Sequence, residues 1–161
     1  MAEVIDKPAG DYETAARRDD RLELRLWLRL LTCTNLIERE IRQRLREEFD
    51  TTLPRFDILA QLDRAPQGLT MGELSRRLMV SHGNVTGLVD RLVAEGLVER
   101  TPVPEDRRIL NVRLTTSGKA LFDTMTPPHL EWVVSMMDGL TRDEMKTLYD
   151  LLAKLKTSAG R

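Results

Sequence analysis

Two stretches of the chain carry side chains able to read or grip an anionic duplex. The first runs from Ser81 to Glu95, where Val85, Leu88, Val89, Leu92 and Val93 recur at threes and fours. That spacing predicts a helix with one apolar face, capped by Ser81 and stopped by Gly96. The opposite face presents His82, Gly83, Asn84, Thr86, Gly87 and Arg91. An asparagine can pair with adenine, a threonine can touch a thymine methyl or a phosphate, and a histidine can donate or accept. Each glycine costs a helix about 1 kcal/mol relative to alanine, and close backbone approach to DNA would account for both. The second stretch, Pro104-Glu105-Asp106-Arg107-Arg108, sets two guanidinium groups beside a carboxylate in a turn. A guanidinium there can enter a minor groove or hold phosphates, with Asp106 positioning it. Arg76, ahead of the helix, completes the candidate DNA contacts. Taken singly, these residues also fit a solvated helix face and a solvated turn; the two features at this spacing together favour the duplex.

Catalysis has little to work with. The two histidines, His82 and His129, have no evident cluster around them, and no glycine-rich phosphate loop is present. The single cysteine, Cys33, excludes an intramolecular disulfide and a cysteine-based zinc site, so neither metal nor cofactor is expected. Met1 to Asp20 lacks the apolar core of a signal peptide, and no apolar run reaches membrane-spanning length. A reducing cytoplasm and no membrane partner are therefore the expectation. With 25 basic and 26 acidic residues the formal net charge is -1, so DNA binding requires positive charge concentrated on one face.

The surrounding elements read as mainly α with a small β-hairpin. Residues 1–18 form a mobile arm. From Asp20 to Phe49 a long helix is expected, with Leu26, Leu30, Cys33, Ile37, Ile41 and Leu45 on its main stripe. Leu22, Leu24, Leu28, Leu31 and Leu36 widen its apolar surface, as in a helix with more than one packing partner. Pro54 suits the first turn of a second helix carrying Phe56, Ile58, Leu59 and Leu62. Thr70 and Glu73 form a capping box on a short third helix with Met71, Leu74 and Leu78 inward. After the Ser81 helix, Leu97–Val103 and Ile109–Leu114 predict two strands joined by the arginine-bearing tip. Thr115 opens a helix interrupted or bent at Pro127-Pro128, and Thr141 with Glu144 caps a last helix bearing Met145, Leu148, Leu151, Leu152 and Leu155. This is a winged helix-turn-helix at 53–115 between a dimerisation helix at 19–52 and dimerisation helices at 116–161.

Asp106-Arg107-Arg108, followed by Leu114-Thr115-Thr116-Ser117-Gly118, resembles the wing signature of MarR-type regulators. Thr70-Met71-Gly72-Glu73-Leu74 and Leu88 to Val98 are similar to that family's helix-turn-helix, and the resemblance spans about Asp20 to Leu155. It implies a homodimer on pseudo-palindromic double-stranded operator DNA, most often a repressor. Residues from Ser81 to Arg91 would read the groove, and Arg107 would make the wing contact. It also implies a small-molecule effector, a phenolic or aromatic acid, lodged between the dimer helices and the DNA-binding lobe. Leu26 to Thr34 and Ser81 to Gly87 are similar to a branch answering to hydroxycinnamoyl-CoA thioesters. Trp27 and Trp132 can stack on an aromatic acyl group, although a tryptophan on an apolar helix more often belongs to the core. Arg39, Arg42, Arg44, Arg46 and Arg55 offer partners for CoA phosphates, although interspersed arginines usually make exposed ion pairs. Trp27, Arg46, Arg55, His129 and Trp132 are the effector candidates.

Two other functions fit the same chain. A winged helix can bind only protein, in which case affinity would not fall steeply with salt. A redox-sensing MarR-type repressor would use Cys33, but its mid-helix place on the apolar stripe predicts a buried, unreactive thiol.

Overall fold

The computed structural model describes residues 21–78, 84–103 and 106–160, with the side chain of Arg107 left out. The expected N-terminal arm, Ser81, His82, Gly83 and the Pro104-Glu105 tip lie outside the described residues. The chain forms two compact units, 1–53 and 54–161.

In the first unit, α1 (Leu22–Phe49) is a single helix ended by Asp50 in the left-handed region. Its stripe is buried only toward the C-terminal end, at Ile41 and Leu45. Leu22, Leu24, Leu26, Trp27, Leu31 and Leu36 are exposed. Cys33 is exposed as well; among the described residues of the single chain nothing covers this part of the stripe, and the expected burial of the thiol is not seen there.

The second unit begins with α2, whose helical span is Leu53–Asp63, followed by β1 (Leu69–Thr70), α3 (Met71–Arg77) and α4 (Val85–Ala94). Then come β2 (Val98–Val103), β3 (Asp106–Leu114), α5 (Thr116–Met136) and α6 (Arg142–Ala159). Its core draws Phe56, Ile58, Leu59 and Leu62 from α2, Leu74 from α3, and Val89 and Leu92 from α4. Val98, Val112, Phe122, Met125 and Trp132 complete it from the strands and α5. The capping box at Thr70 and Glu73 is formed, with Thr70 accepting from the Glu73 amide and Glu73 accepting from the Thr70 amide. That at Thr141 and Glu144 is formed in the same way.

The expected two-stranded hairpin is a three-stranded antiparallel sheet in the order β1-β3-β2. Leu69 and Thr70 pair with Val112 and Asn111, adding a strand too short to show any periodicity. β2 is an edge strand, which lets Pro102 sit in it without an N–H to donate. The register shifts between Pro102 and Val103. β3 begins at Asp106, three residues before the expected start, so Arg107 and Arg108 belong to the irregular part of the ladder rather than to a free turn. The expected interruption of α5 is also absent: Pro127 and Pro128 lie inside one helix.

α5 starts where the backbone comes closest to the wing. The Leu97 carbonyl accepts the Thr115 amide, the Thr115 hydroxyl donates to the Gly96 carbonyl and accepts the Gly118 amide. At Gly118 an added Cβ would stand 1.8 Å from the Leu97 carbonyl oxygen. α6 has no buried residue; Met145, Leu148, Leu151, Leu152, Leu155 and Tyr149 are all exposed.

Candidate nucleic-acid interface

α4 starts later than the sequence implies. Its N-cap is Asn84, whose side-chain Oδ1 accepts the Gly87 amide at 2.9 Å. Asparagine is among the strongest N-cap residues because its short amide satisfies an orphan donor of the first turn. The carbonyl half of Asn84 is therefore engaged in the cap, which corrects the picture of a side chain wholly free to pair with adenine. Gly87 gains a local reason too: a Cβ there would meet Asn84 Nδ2 at 2.7 Å. Glycine at 87 makes room for the cap, so close approach to DNA is not needed to explain it.

Val89 and Leu92 hold α4 to the core, while Thr86 and Arg91 are exposed. Asn84, Gly87, Leu88 and Arg91 line a shallow groove of about 240 Å³ along one face of the helix. Arg76 is exposed in the last turn of α3 beside Arg77. Ser81 and His82, expected to continue the reading face, fall outside the described residues.

On the wing, Asp106 grips Arg108. It accepts from the Arg108 amide at 3.0 Å and from Nε and Nη2 at 3.1 Å each. These bonds hold the Asp106 carboxyl below the usual carboxylate range and push the Arg108 guanidinium up. Asp106 thus positions the backbone and side chain of Arg108, whereas the sequence left open which arginine it would serve. Two further arginines of the sheet are also held by acids: Arg100 by Asp90 of α4 at 2.5 Å, and Arg113 by Glu99 at 2.7 Å.

The effector candidates divide. Trp27 is 57% exposed on α1, whereas Trp132 is 4% exposed and belongs to the α5 core, which leaves it no open face for the expected stacking on a ligand. Arg46 lines a groove of about 630 Å³ on α1 together with Arg39 and Arg42. Arg55, expected to be available to phosphate, donates from both terminal guanidinium nitrogens, Nη1 and Nη2, to the Glu95 carboxylate. His129 stacks on Phe56 at 4.6 Å between ring centroids and meets Trp132 edge-on at 6.2 Å.

Burial lowers the pKa of His129, because desolvation disfavours the imidazolium. The unfolded chain takes up this proton near pH 6.5 and the folded chain only at lower pH. Stability should therefore decline as pH falls below about 6.5, the loss being complete below the folded-state pKa. His129→Phe should remove that component. Melting temperatures of both proteins at pH 7.5 and pH 5 check it: the wild type should drop further, and equal drops would contradict it.

The Arg55–Glu95 pair escaped the sequence reading, though one signal was present. A carboxylate at the C-terminal end of a helix faces the negative end of the helix dipole, so Glu95 needs a cation nearby. Among the described residues no group of three or more His, Cys, Asp or Glu side chains could hold a metal. No helix among them is long and apolar enough to cross a membrane.

A family model described as the MarR family matches residues 49–109. An HTH-type transcriptional regulator of Bacillus cereus (strain ATCC 14579) is 32% identical over 139 residues, 86% of this chain and 91% of that protein. The transcriptional activatory protein BadR of Rhodopseudomonas palustris is 34% identical over 116 residues, 70% of this chain and 66% of BadR. Among solved structures, a mutant MarR from E. coli complexed with operator DNA is 32% identical. It superposes with a TM-score of 0.72, covering 84% of this chain and 99% of that one.

Proposed function

The chain belongs to the MarR family of transcriptional regulators, which are DNA-binding proteins and not enzymes, and from that premise we propose that it is a homodimeric repressor released by a small aromatic ligand. The observation that carries the reading is α4: a two-sided helix whose exposed Asn84, Thr86 and Arg91 face away from Val89 and Leu92. A major groove accepts one such helix by its exposed side. Two copies, one from each protomer, enter successive major grooves about 34 Å apart. Arg76 and Arg108 serve the phosphates, and Arg107 takes the groove contact beside each helix. Ser81 and His82 extend the reading surface. The open apolar faces of α1 and of α6 supply the dimer contacts.

The ligand is an aromatic acid or its CoA thioester. Two features favour it: the exposed ring of Trp27, and the α1 groove in which Arg39, Arg42 and Arg46 can meet acidic groups. To act as a switch the ligand binds the DNA-incompetent state better by several kcal/mol.

Fluorescence anisotropy of labelled DNA from upstream of this gene tests the reading at two salt concentrations, with and without p-coumaroyl-CoA. Sequence-selective binding should weaken by about 0.9 log units per phosphate contact per decade of salt, and the thioester should abolish it. Binding indifferent to the thioester would discard that ligand. Protein binding without salt-sensitive DNA binding would favour an adaptor, and release by peroxide that Cys33→Ser abolishes would favour a redox switch.

A further inference from the structure

The recognition helix ends in an electrostatic competition. Arg91 and Glu95 are four residues apart on α4, so their side chains emerge as neighbours on one side of the helix. Left alone, such a pair closes into an exposed ion pair, and the Arg91 guanidinium then has an acid to satisfy before it can meet a phosphate. In the structure Glu95 is taken by another residue. Arg55, on the first turn of α2, donates from Nη1 to Glu95 Oε1 at 2.7 Å and from Nη2 to Oε2. The bond is bidentate, and the Arg55 side chain is only 21% exposed, so its planar fork is fixed in place. Arg91 is exposed, forms no ion pair among the described residues, and lines the α4 groove with Asn84 and Gly87. Glu95 feels both cations: its carboxyl lies below the usual range because of the hydrogen bonds from Arg55 and, less strongly, the charges of Arg55 and Arg91.

We propose that Arg55 is a positioning residue for DNA binding, which withholds Glu95 from Arg91 and so keeps the Arg91 guanidinium available to the phosphate backbone. The inference rests on the reading of α4 as the DNA-contacting helix. It assigns Arg55 no contact with DNA: the arginine acts by occupying the one acid within reach of Arg91 along the helix. Without Arg55, Glu95 turns back to Arg91, and each protomer loses one phosphate contact.

The test is the salt dependence of operator binding for three variants of the full-length protein. Arg55→Met keeps the apolar stem and removes the fork. It should lower the slope of log affinity against log salt by about 0.9 per protomer, about 1.8 for the dimer, and weaken binding at 0.1 M salt by roughly sixtyfold. Glu95→Gln removes the competing acid and should bind with the wild-type slope. The double variant Arg55→Met/Glu95→Gln should recover that slope, because no carboxylate remains to capture Arg91. An unchanged slope in Arg55→Met, or a double variant no better than Arg55→Met, would overturn the proposal and leave the pair as a tie between α2 and α4. A slope reduced in Glu95→Gln would overturn it too, and that variant decides the matter should Arg55→Met not fold. If the wild type itself shows no salt-dependent binding, the reading of α4 fails first.

Discussion

An Arg107→Ala protein should bind its operator about a hundredfold more weakly than the wild type while remaining the same dimer. Three other arginines of the sheet are engaged by acids: Arg100 by Asp90, Arg113 by Glu99 and Arg108 by Asp106. Arg107 is the arginine proposed above for the groove contact. A good arginine contact in a groove is worth about 1–3 kcal/mol, and a dimer makes two. About 3 kcal/mol in total is a little over two decades of affinity. Arg108→Ala should cost less, because its guanidinium already shares its charge with Asp106. Anisotropy gives the affinity and analytical ultracentrifugation the mass. A dimer that dissociates in Arg107→Ala would move this residue from the wing to an interface and contradict the assignment.

Gly118→Ala should be the most damaging single-methyl change in the wing region. The added carbon would stand 1.8 Å from the Leu97 carbonyl oxygen, and that oxygen already accepts the Thr115 amide. Neither partner is the flexible end of a side chain, so the start of α5 or the start of β2 must move. Overpacking of a core costs about 1–3 kcal/mol, and a backbone clash belongs at the upper end. At roughly 2–4 °C per kcal/mol for a domain of this size, the melting temperature should fall by about 6–12 °C. Gly96→Ala is the natural control: its φ is +72°, but an added Cβ would meet nothing within 4 Å. It should cost only about 1 kcal/mol from the left-handed backbone. Thermal melts followed by circular dichroism rank the two, and equal losses would contradict the close approach at Gly118.

The helices were readable in the chain because their signals are local. Thr70 with Glu73 and Thr141 with Glu144 announce helix starts within four residues, and both capping boxes form. The threes and fours of Val85 to Val93 likewise locate the buried side of α4. What escaped depends on pairs distant in sequence or on elements too short to have a period. β1 is two residues long and exists only because β3 offers it an edge. Arg55 and Glu95 are forty residues apart, and nothing near Arg55 reveals its partner. The start of α4 was misread for a different reason. Serine and asparagine both suit an N-cap, and Ser81 offered one three residues earlier; the bond from the Gly87 amide puts the cap at Asn84. Cys33 shows the complementary limit. Its stripe is apolar as expected, but a stripe says only which face wants cover, and within the single chain this part of α1 has none among the described residues.

Two copies of α4 are proposed to sit in successive major grooves of one operator. Methylation protection of guanine N7 on a selected operator fragment tests it directly, since N7 lies on the floor of the major groove. Two clusters of protected guanines are expected, centred about 10 base pairs apart and related by a two-fold axis, at a stoichiometry of two chains per fragment. A single protected cluster, or tight binding with every N7 still reactive, would contradict it.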